Sequence, residues 1–532
     1  MSAVDLRTNI GVLALLVAFV GLPQIAAADG DRSFTDLGYD LEGDPDTVLE
    51  LDGYFRTRGE LLHNLDLDRG LTPSGEPLYP TPLGDSQRQT LTHSDMRLRT
   101  DMRVHSPVGA AAVNLRVDVL DNLAFGSRPD GPPQTTASQL PVQAINIKRA
   151  YAEALTPVGL LTAGRMGSHW GLGMLTHGGD GLDSDSGDAA DRIAFVTPTL
   201  GHIWAVAYDV AWSGPQTERR AGNRTLDLDP RDDARALTFA FMQYRTAESI
   251  DRRLDADRPT FDYGAYFSFR WQDEDVPAHY LPAAQPEGLG ESDVMYRGFR
   301  ANAVDVWSRL VMPYAHLEAE VAVMQAEIDQ ASLIPGAEFQ EPVESLQIGG
   351  AFESEIRGPT WPVGFGVDAG FATGDPAPGF GAFPEPYEGR AEPGDLDGPQ
   401  ADPPLDNRVD NFRFHPDYRI DQILFREIIG TVTDATYVRP HVTWRVGEWG
   451  PGRLQASAAA IASWAMYPTS TPGQERPLGL EINPSVTYQS YGNFSLGIDH
   501  GILFPFSGLD NPQQEMPARP AQMLRLHMAM GF

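Results

Sequence analysis

The sequence predicts an all-β fold: a transmembrane antiparallel β-barrel of about 18 strands, with short periplasmic turns and long extracellular loops. Three observations predict it. Apolar residues recur at every second position in short segments from Val48 to the end of the chain, which is the strand period. The connections between these segments alternate between short and long. Charged residues fill the opposite parity, and a packed sandwich core does not tolerate them whereas a water-filled lumen does.

The N-terminus carries Arg7, an apolar stretch GVLALLVAFVGL (11–22) and Ala26-Ala27-Ala28, the pattern of a secretory signal with cleavage after Ala28. The domain reading is therefore a signal peptide over 1–28, an N-terminal periplasmic segment over 29–47 and an outer-membrane barrel over 48–532. Past the signal no run reaches the roughly 18 apolar residues that a spanning helix needs. The chain holds no cysteine, so disulfides cannot support an exported protein of this size. A formal net charge of -33 argues against nucleic acid as a partner, because phosphates need Lys and Arg.

The first segment, VLELDGYFRTRGELL (48–62), sets Leu49, Leu51, Phe55 and Leu61 against Glu50, Asp52, Arg56, Arg58 and Glu60. A polar loop over about 63–90 follows, and DMRLRTDMRVH (95–105) repeats the alternation. Only SPVG (106–109) separates it from AAAVNLRVDVLDN (110–122), with Val113, Leu115, Val117 and Val119 outward. Tight connections recur at 156–159, 197–201, Met312-Pro313, 357–362, 447–452 and 490–493, and long ones lie between them. One connection, about 247–258, is long where the rhythm predicts a short turn. Trp204, Trp212, Trp271, Trp464 and Tyr467 stand near strand ends, as interfacial girdles require.

The closing strand, AQMLRLHMAMGF (521–532), puts Leu524, Leu526, Met528, Met530 and Phe532 on one parity. It resembles the C-terminal strand of bacterial outer-membrane barrels, which implies the barrel-assembly machinery as a partner reading Phe532, and outer-membrane lipid and lipopolysaccharide around the wall. Its Arg525 and His527 are expected in the lumen, beside the first strand's Glu50, Asp52, Arg56 and Arg58.

Candidate functional residues concentrate early in the chain. Arg56, Arg58, Arg97, Arg99, Arg103, Arg116, Lys148 and Arg165 are expected to line the pore as a basic ladder, with Glu50, Asp52, Glu60, Asp101 and Asp118 as pore-lining acids. Either the ladder steers anionic solutes, or each cation pairs with an acid of the same wall. The glycine-rich segment 164–193 carries Asp180, Asp183, Asp185, Asp188 and Asp191, oxygen ligands of the kind that hold Ca2+. A solvated acidic loop, or one folded into the barrel to narrow it, fits the same residues. In the longest loop, 373–410 reads as irregular and NFRFHPDYRIDQILFREIIGTVTDA (411–435) as a short helix or an inserted plug.

No metalloprotease, serine-hydrolase or phosphate-binding motif occurs, so no enzyme and no other cofactor is expected. The segments 147–174, 191–202 and 412–440 resemble an uncharacterised family of outer-membrane proteins from myxobacteria and their relatives. A Gly-Arg strand followed by an acidic loop and an Asp-Arg strand is more distantly similar to the alginate-export and OprD-like 18-stranded porins, which implies anionic solutes in an arginine-lined pore. The expectation is a Gram-negative outer-membrane channel for passive transport of small hydrophilic, anionic solutes. The alternative is a non-conducting surface barrel, a scaffold or adhesion protein with loops plugging the lumen.

Overall fold

A computed structural model describes residues 37, 48–83, 89–106, 109–126, 145–218, 224–276, 291–358, 360–384, 389–403 and 405–532. The expected signal peptide and, apart from Leu37, the 29–47 segment lie outside the described residues. Period two in the sequence becomes a single 18-stranded sheet in which every strand pairs antiparallel with its chain neighbour. The barrel strands are β1 (Leu49–His63), β2 (Thr90–His105), β3 (Ala111–Ala124), β4 (Ile145–Thr156), β5 (Gly159–Gly167), β6 (Ala189–Thr199), β7 (His202–Trp212), β8 (Ala234–Gln243) and β9 (Thr260–Asp275). They continue as β10 (Met295–Met312), β11 (Ala315–Ile328), β12 (Val343–Ile356), β13 (Val363–Ala372), β14 (Ala435–Glu448), β15 (Gly452–Ala465), β16 (Pro477–Ser490), β17 (Phe494–Pro505) and β18 (Ala521–Gly531).

The sheet closes where β18 meets β1, with Glu60 opposite Arg525 and Arg58 opposite His527. Arg525 reaches Glu60 at 2.6 Å inside the wall, as the parity of the last strand predicts. On the outside Gly53 has no side chain, and the Phe532 ring fills that space: a Cβ there would lie 2.7 Å from the ring. Closure removes both sheet edges, so every central ladder group is paired without water, the condition for a sheet in lipid.

The outer face is apolar. Val113, Ile147, Ile193, Val306, Phe365, Val486, Leu526 and their like are exposed on the outward parity, and Trp204, Trp212, Trp464 and Tyr467 are exposed near strand ends. All nine long connections fall at one end of the barrel and the short ones at the other. Leu200-Gly201 is a two-residue hairpin with both φ positive (55° and 76°), the primed turn that matches strand twist. The irregular connection before β9 holds a two-turn helix, α1 (Ala247–Leu254), at the short-turn end.

The core of this molecule lies inside the barrel. Phe412, Phe414, Ile423, Leu424, Phe425 and Ile428 from the β13–β14 loop pack on the inner faces of late strands, against Ile461, Leu478, Leu503 and Met523. The stretch 411–435 is thus the inserted plug of the two alternatives. Its helix is one wide turn, Leu424–Ile428, with Ile428 N–H donating to Ile423 O and Ile429 N–H to Leu424 O. A second inner cluster gathers Trp170, Tyr266, Trp307 and Met242, with Leu37 against it.

Candidate functional site

Strands β1 to β4 place Arg56, Arg58, Arg97, Arg99, Arg103, Arg116 and Lys148 on the interior parity. The register sets Arg56 opposite Arg97 and Arg116 opposite Arg149. Like charges opposite one another need counter-charges close by. Acids on the same wall supply them. Asp118 grips Arg99 with both oxygens at 2.8 Å, Asp101 takes Arg116 at 2.6 and 3.0 Å, and Glu153 takes Arg103 at 2.9 Å. Asp95 takes Arg58 at 3.0 Å, Asp121 takes Lys148 at 2.6 Å and Glu50 takes His105 at 3.1 Å. Asp52 shares a small cavity with Glu50 and Asp101.

Onto this wall folds the loop 168–188. Carbonyls of Gly178, Gly179, Leu182 and Ser184 accept from Arg149, Arg99, Arg56 and Arg97 at 2.6 to 2.8 Å. Gly179 sits at φ 72° with Ser186 O only 2.2 Å from where a Cβ would be, so the tight fold at this point requires glycine. The five aspartates expected to hold Ca2+ do not converge. Asp180 takes Arg116 and Arg149, Asp183 takes Arg58, Arg419 and Arg426, and Asp185 takes Arg56, Arg58 and Arg419. Asp188 faces His415, and Asp191 pairs with Arg165. Guanidinium groups meet the carboxylates of Asp180, Asp183, Asp185 and Asp191, and His415 with the His177 N–H meets that of Asp188. Burial alone would raise the Asp183 carboxyl, yet Arg426, Arg419 and Arg525 hold it well below the usual carboxylate range. Asp185 is depressed in the same way, against burial, by Arg419 and Arg58.

Arg165 stands near the end of its strand. It shares the parity of exposed Leu161 and Ile193, and with its bidentate partner Asp191 it borders the outer chamber rather than the loop-packed interior. In β5 the inward residues are Leu160, Thr162 and Met166, because that stretch of wall faces packed side chains rather than water. Arg149 and Arg192 are further inward cations, and strict alternation misses the first of them. A register shift between Arg116 and Val117 marks a bulge in β4, which turns Lys148 and Arg149 both inward. Arg192 pairs with Asp209 through two bonds of 2.6 and 2.7 Å.

The inserted plug locks to the same loop. Asp417 accepts the N–H groups of Asp185 and Ser186, both at 3.0 Å. His415 N–H donates to Met174 O at 2.8 Å, and the His177 and His415 rings stack at 5.3 Å. Across the lumen Glu320 on β11 accepts from Leu172 N–H and from Leu175 N–H at 3.4 Å. The plug is held from the other side by Glu481 on β16, which accepts from Gln422, Ile423 and Leu424 N–H at 2.8 to 3.0 Å. Phe412 lies over Gly349, where a Cβ would sit 2.4 Å from its ring.

Space remains on both sides of the loop. At the long-loop end a chamber of about 720 Å³ is lined by Lys148, Thr176, Arg192, Asp209, Ser268 and Arg270. At the short-turn end a cavity of about 50 Å³ is lined by Glu50, Asp52, Asp101, Arg103, Arg116 and Arg149. A further cavity of about 190 Å³ is lined by His316, Glu318, Glu353, Asp368, Arg439 and His441. The chamber and the 50 Å³ cavity meet adjacent residues of the β4 bulge, Lys148 and Arg149, and the Gly178–Asp180 backbone lies between them. Arg270 points into the chamber, exposed and with no ion pair among the described residues.

No protein-family model and no curated protein sequence matches the chain. Among solved structures it is similar to Pseudomonas aeruginosa OccK9 (OpdG), at TM-score 0.46 and 11% identity, over 91% of this chain and 98% of that one. It is similar to a BenF-like porin from Pseudomonas fluorescens Pf-5, at 0.44 and 10% over the same shares. It is also similar to Pseudomonas aeruginosa OpdK with vanillate, at 0.42 and 11%, over 91% and 98%. Identity this low leaves the chemistry of the lumen to this chain's own residues.

Proposed function

We propose that the protein is a channel of the Gram-negative outer membrane that admits small hydrophilic solutes, with the loop 168–188 as its constriction. The observation that carries this reading is the pair of cavities with charged residues in their linings on either side of that loop, which touch neighbouring residues of the β4 bulge, Arg149 and Lys148. A lumen meant only to be filled would not keep a charged chamber of about 720 Å³ at its outer end. The apolar outer wall suits lipid and lipopolysaccharide, and Phe532 presents its ring on that face for the assembly machinery.

The arginine wall is largely neutralised by Asp95, Asp101, Asp118, Asp180, Asp183 and Asp185, so the anion preference rests on Arg270 instead, with Lys148 beside the passage. A plugged scaffold is the second reading, favoured by the apolar cluster that the 411–434 segment buries in the half of the lumen bounded by β12 to β18. Planar-bilayer conductance separates the two. The wild type is expected to give small, stable anion-selective steps, and a variant with 173–187 replaced by a short Gly-Ser linker larger ones. A loop-deleted barrel that folds, shown by its heat-modifiable mobility, but carries no current would remove the channel.

A further inference from the structure

We propose that the long connection between β7 and β8 binds a divalent cation, calcium by its chemistry, on the carboxylates of Asp227, Asp232 and Asp233. Oxygens of these three residues lie within 4.8 Å of one another. Asp232 is fully buried, and among the described residues neither of its carboxylate oxygens has a hydrogen-bond partner. One oxygen of Asp233 is likewise buried and unpartnered, while the other takes Arg235 at 2.8 Å. The aspartates of the 164–193 segment, by contrast, are answered by guanidinium groups or, at Asp188, by His415 and the His177 N–H. Here two unsatisfied oxygens of one side chain face two further aspartates. A buried carboxylate without partner is costly, and a cation is the partner that an all-oxygen set invites.

The surroundings hold the ligands in place. The backbone of this connection is tied to β9 through Gln272, which donates to Asp232 O at 2.9 Å, and through Glu274 N–H, which donates to Arg231 O at 3.0 Å. Asp232 N–H closes a turn on Asp229 O at 3.1 Å, and Asp229 N–H donates to Asp227 Oδ1 at 3.1 Å. Gly214 lies against Asp232: a Cβ on it would fall 1.8 Å from Oδ2, so only glycine leaves the carboxylate where it is. Asp229 and Asp275 add negative potential, although each carries its own arginine, Arg231 at 3.4 Å and Arg297. Burial first, and then Asp227, Asp229, Asp233 and Asp275, push the Asp232 carboxyl up to about 7, in keeping with a group that lacks a counter-charge. Hard oxygen ligands exclude soft metals, and a connection at the long-loop end meets the millimolar calcium outside the cell.

The test is calorimetric titration of CaCl2 into the full-length, chelator-treated protein in detergent. Saturable binding with a Kd of about 0.1–1 mM is expected, the range of extracellular calcium modules. Asp232→Asn is expected to weaken it at least tenfold, and Asp251→Asn on α1 to leave it unchanged. Without calcium Asp232→Asn removes an uncompensated charge and should protect the connection from trypsin cleavage after Arg231, whereas calcium should protect only the wild type. If Asp232→Asn does not reach the heat-modifiable barrel form, Asp227→Asn serves in its place. No saturable heat up to about 10 mM CaCl2, or equal affinity in Asp232→Asn, overturns the proposal.

Discussion

Replacing Asp183 and Asp185 together with asparagine should release the inserted loop while leaving the barrel closed. The two carboxylates meet Arg56, Arg58, Arg419 and Arg426 within 2.5 to 3.3 Å, apart from one looser pair at 3.9 Å, and Asp183 also stands 3.8 Å from Arg525. Asparagine keeps the shape and one acceptor but removes both charges, so the guanidinium groups lose their shared anions. Breaking a fully buried pair costs about 3–5 kcal/mol, and an exposed one about 0–1. Asp183 is 50% exposed and Asp185 33%, while Arg58 is 6% and Arg426 7%, so water screens one side of each pair. A discounted value of about 1–2 kcal/mol for each carboxylate sets a ceiling of about 2–4 kcal/mol for the two, because sharing Arg58 and Arg419 makes them less than additive. That ceiling shifts the closed-to-open ratio of the loop by at most about 30- to 1,000-fold. Single-channel recording reads it directly, as flicker and larger steps in the double variant against quiet, small steps in the wild type. Identical step size and open-channel noise in the two proteins would refute the view that these pairs set the constriction.

Three further outcomes are expected. Arg270→Glu should raise the cation-to-anion permeability ratio about three- to tenfold, read from reversal potentials in a salt gradient. Asp434, buried with its carboxylate against Tyr467 N–H and the Ser470 hydroxyl, is pushed up to about 7, chiefly by burial. Because the folded form binds the proton more tightly than the unfolded chain, packing of the β13–β14 loop is strongest below about pH 4 and weakens as pH rises to about 7. Protease resistance of that loop should fall over this window by up to about 4 kcal/mol in effective stability, and Asp434→Asn, which suits the φ of 47° there, should flatten the dependence. Gly53→Val drives a side chain into Arg99 O and the Phe532 ring, and should lower the yield of heat-modifiable barrel with a loss of about 1–3 kcal/mol.

The wall was legible in the sequence because lipid imposes one rule on every strand. Leu49, Leu51 and Phe55 alternate with Glu50, Asp52 and Arg56 without knowledge of any neighbour, and parity puts Arg525 inside beside the first strand, but the register that sets it against Glu60, past the expected Glu50 and Asp52, needed the structure. Reading failed where the rule is locally suspended. The β4 bulge hides Arg149 from a strict count of two, and β5 inverts the usual contrast, since Leu160 and Met166 face in and Arg165 stands on the other parity. There the interior is a packed loop, so apolarity no longer marks the lipid side. The aspartates of 180–191 look like calcium ligands until Arg419 and Arg426 arrive from the plug, 234 and 243 residues away along the chain. No local pattern announces a partner that distant. The cluster at Asp227, Asp232 and Asp233 is quieter in composition and stands out only once its unanswered oxygens are visible.

The seam between β1 and β18 joins Glu60 to Arg525 across 465 positions of chain. A wall that closes this way cannot be completed before its last residue has been synthesised and delivered. Until then both edge strands offer unpaired backbone to any passing strand. Contacts this remote place the protein among slow folders, whose speed is set by the search for that final pairing. Once made, the seam also works in reverse: the ring has no free end from which to unzip, and the finished barrel should persist long after conditions cease to favour its formation.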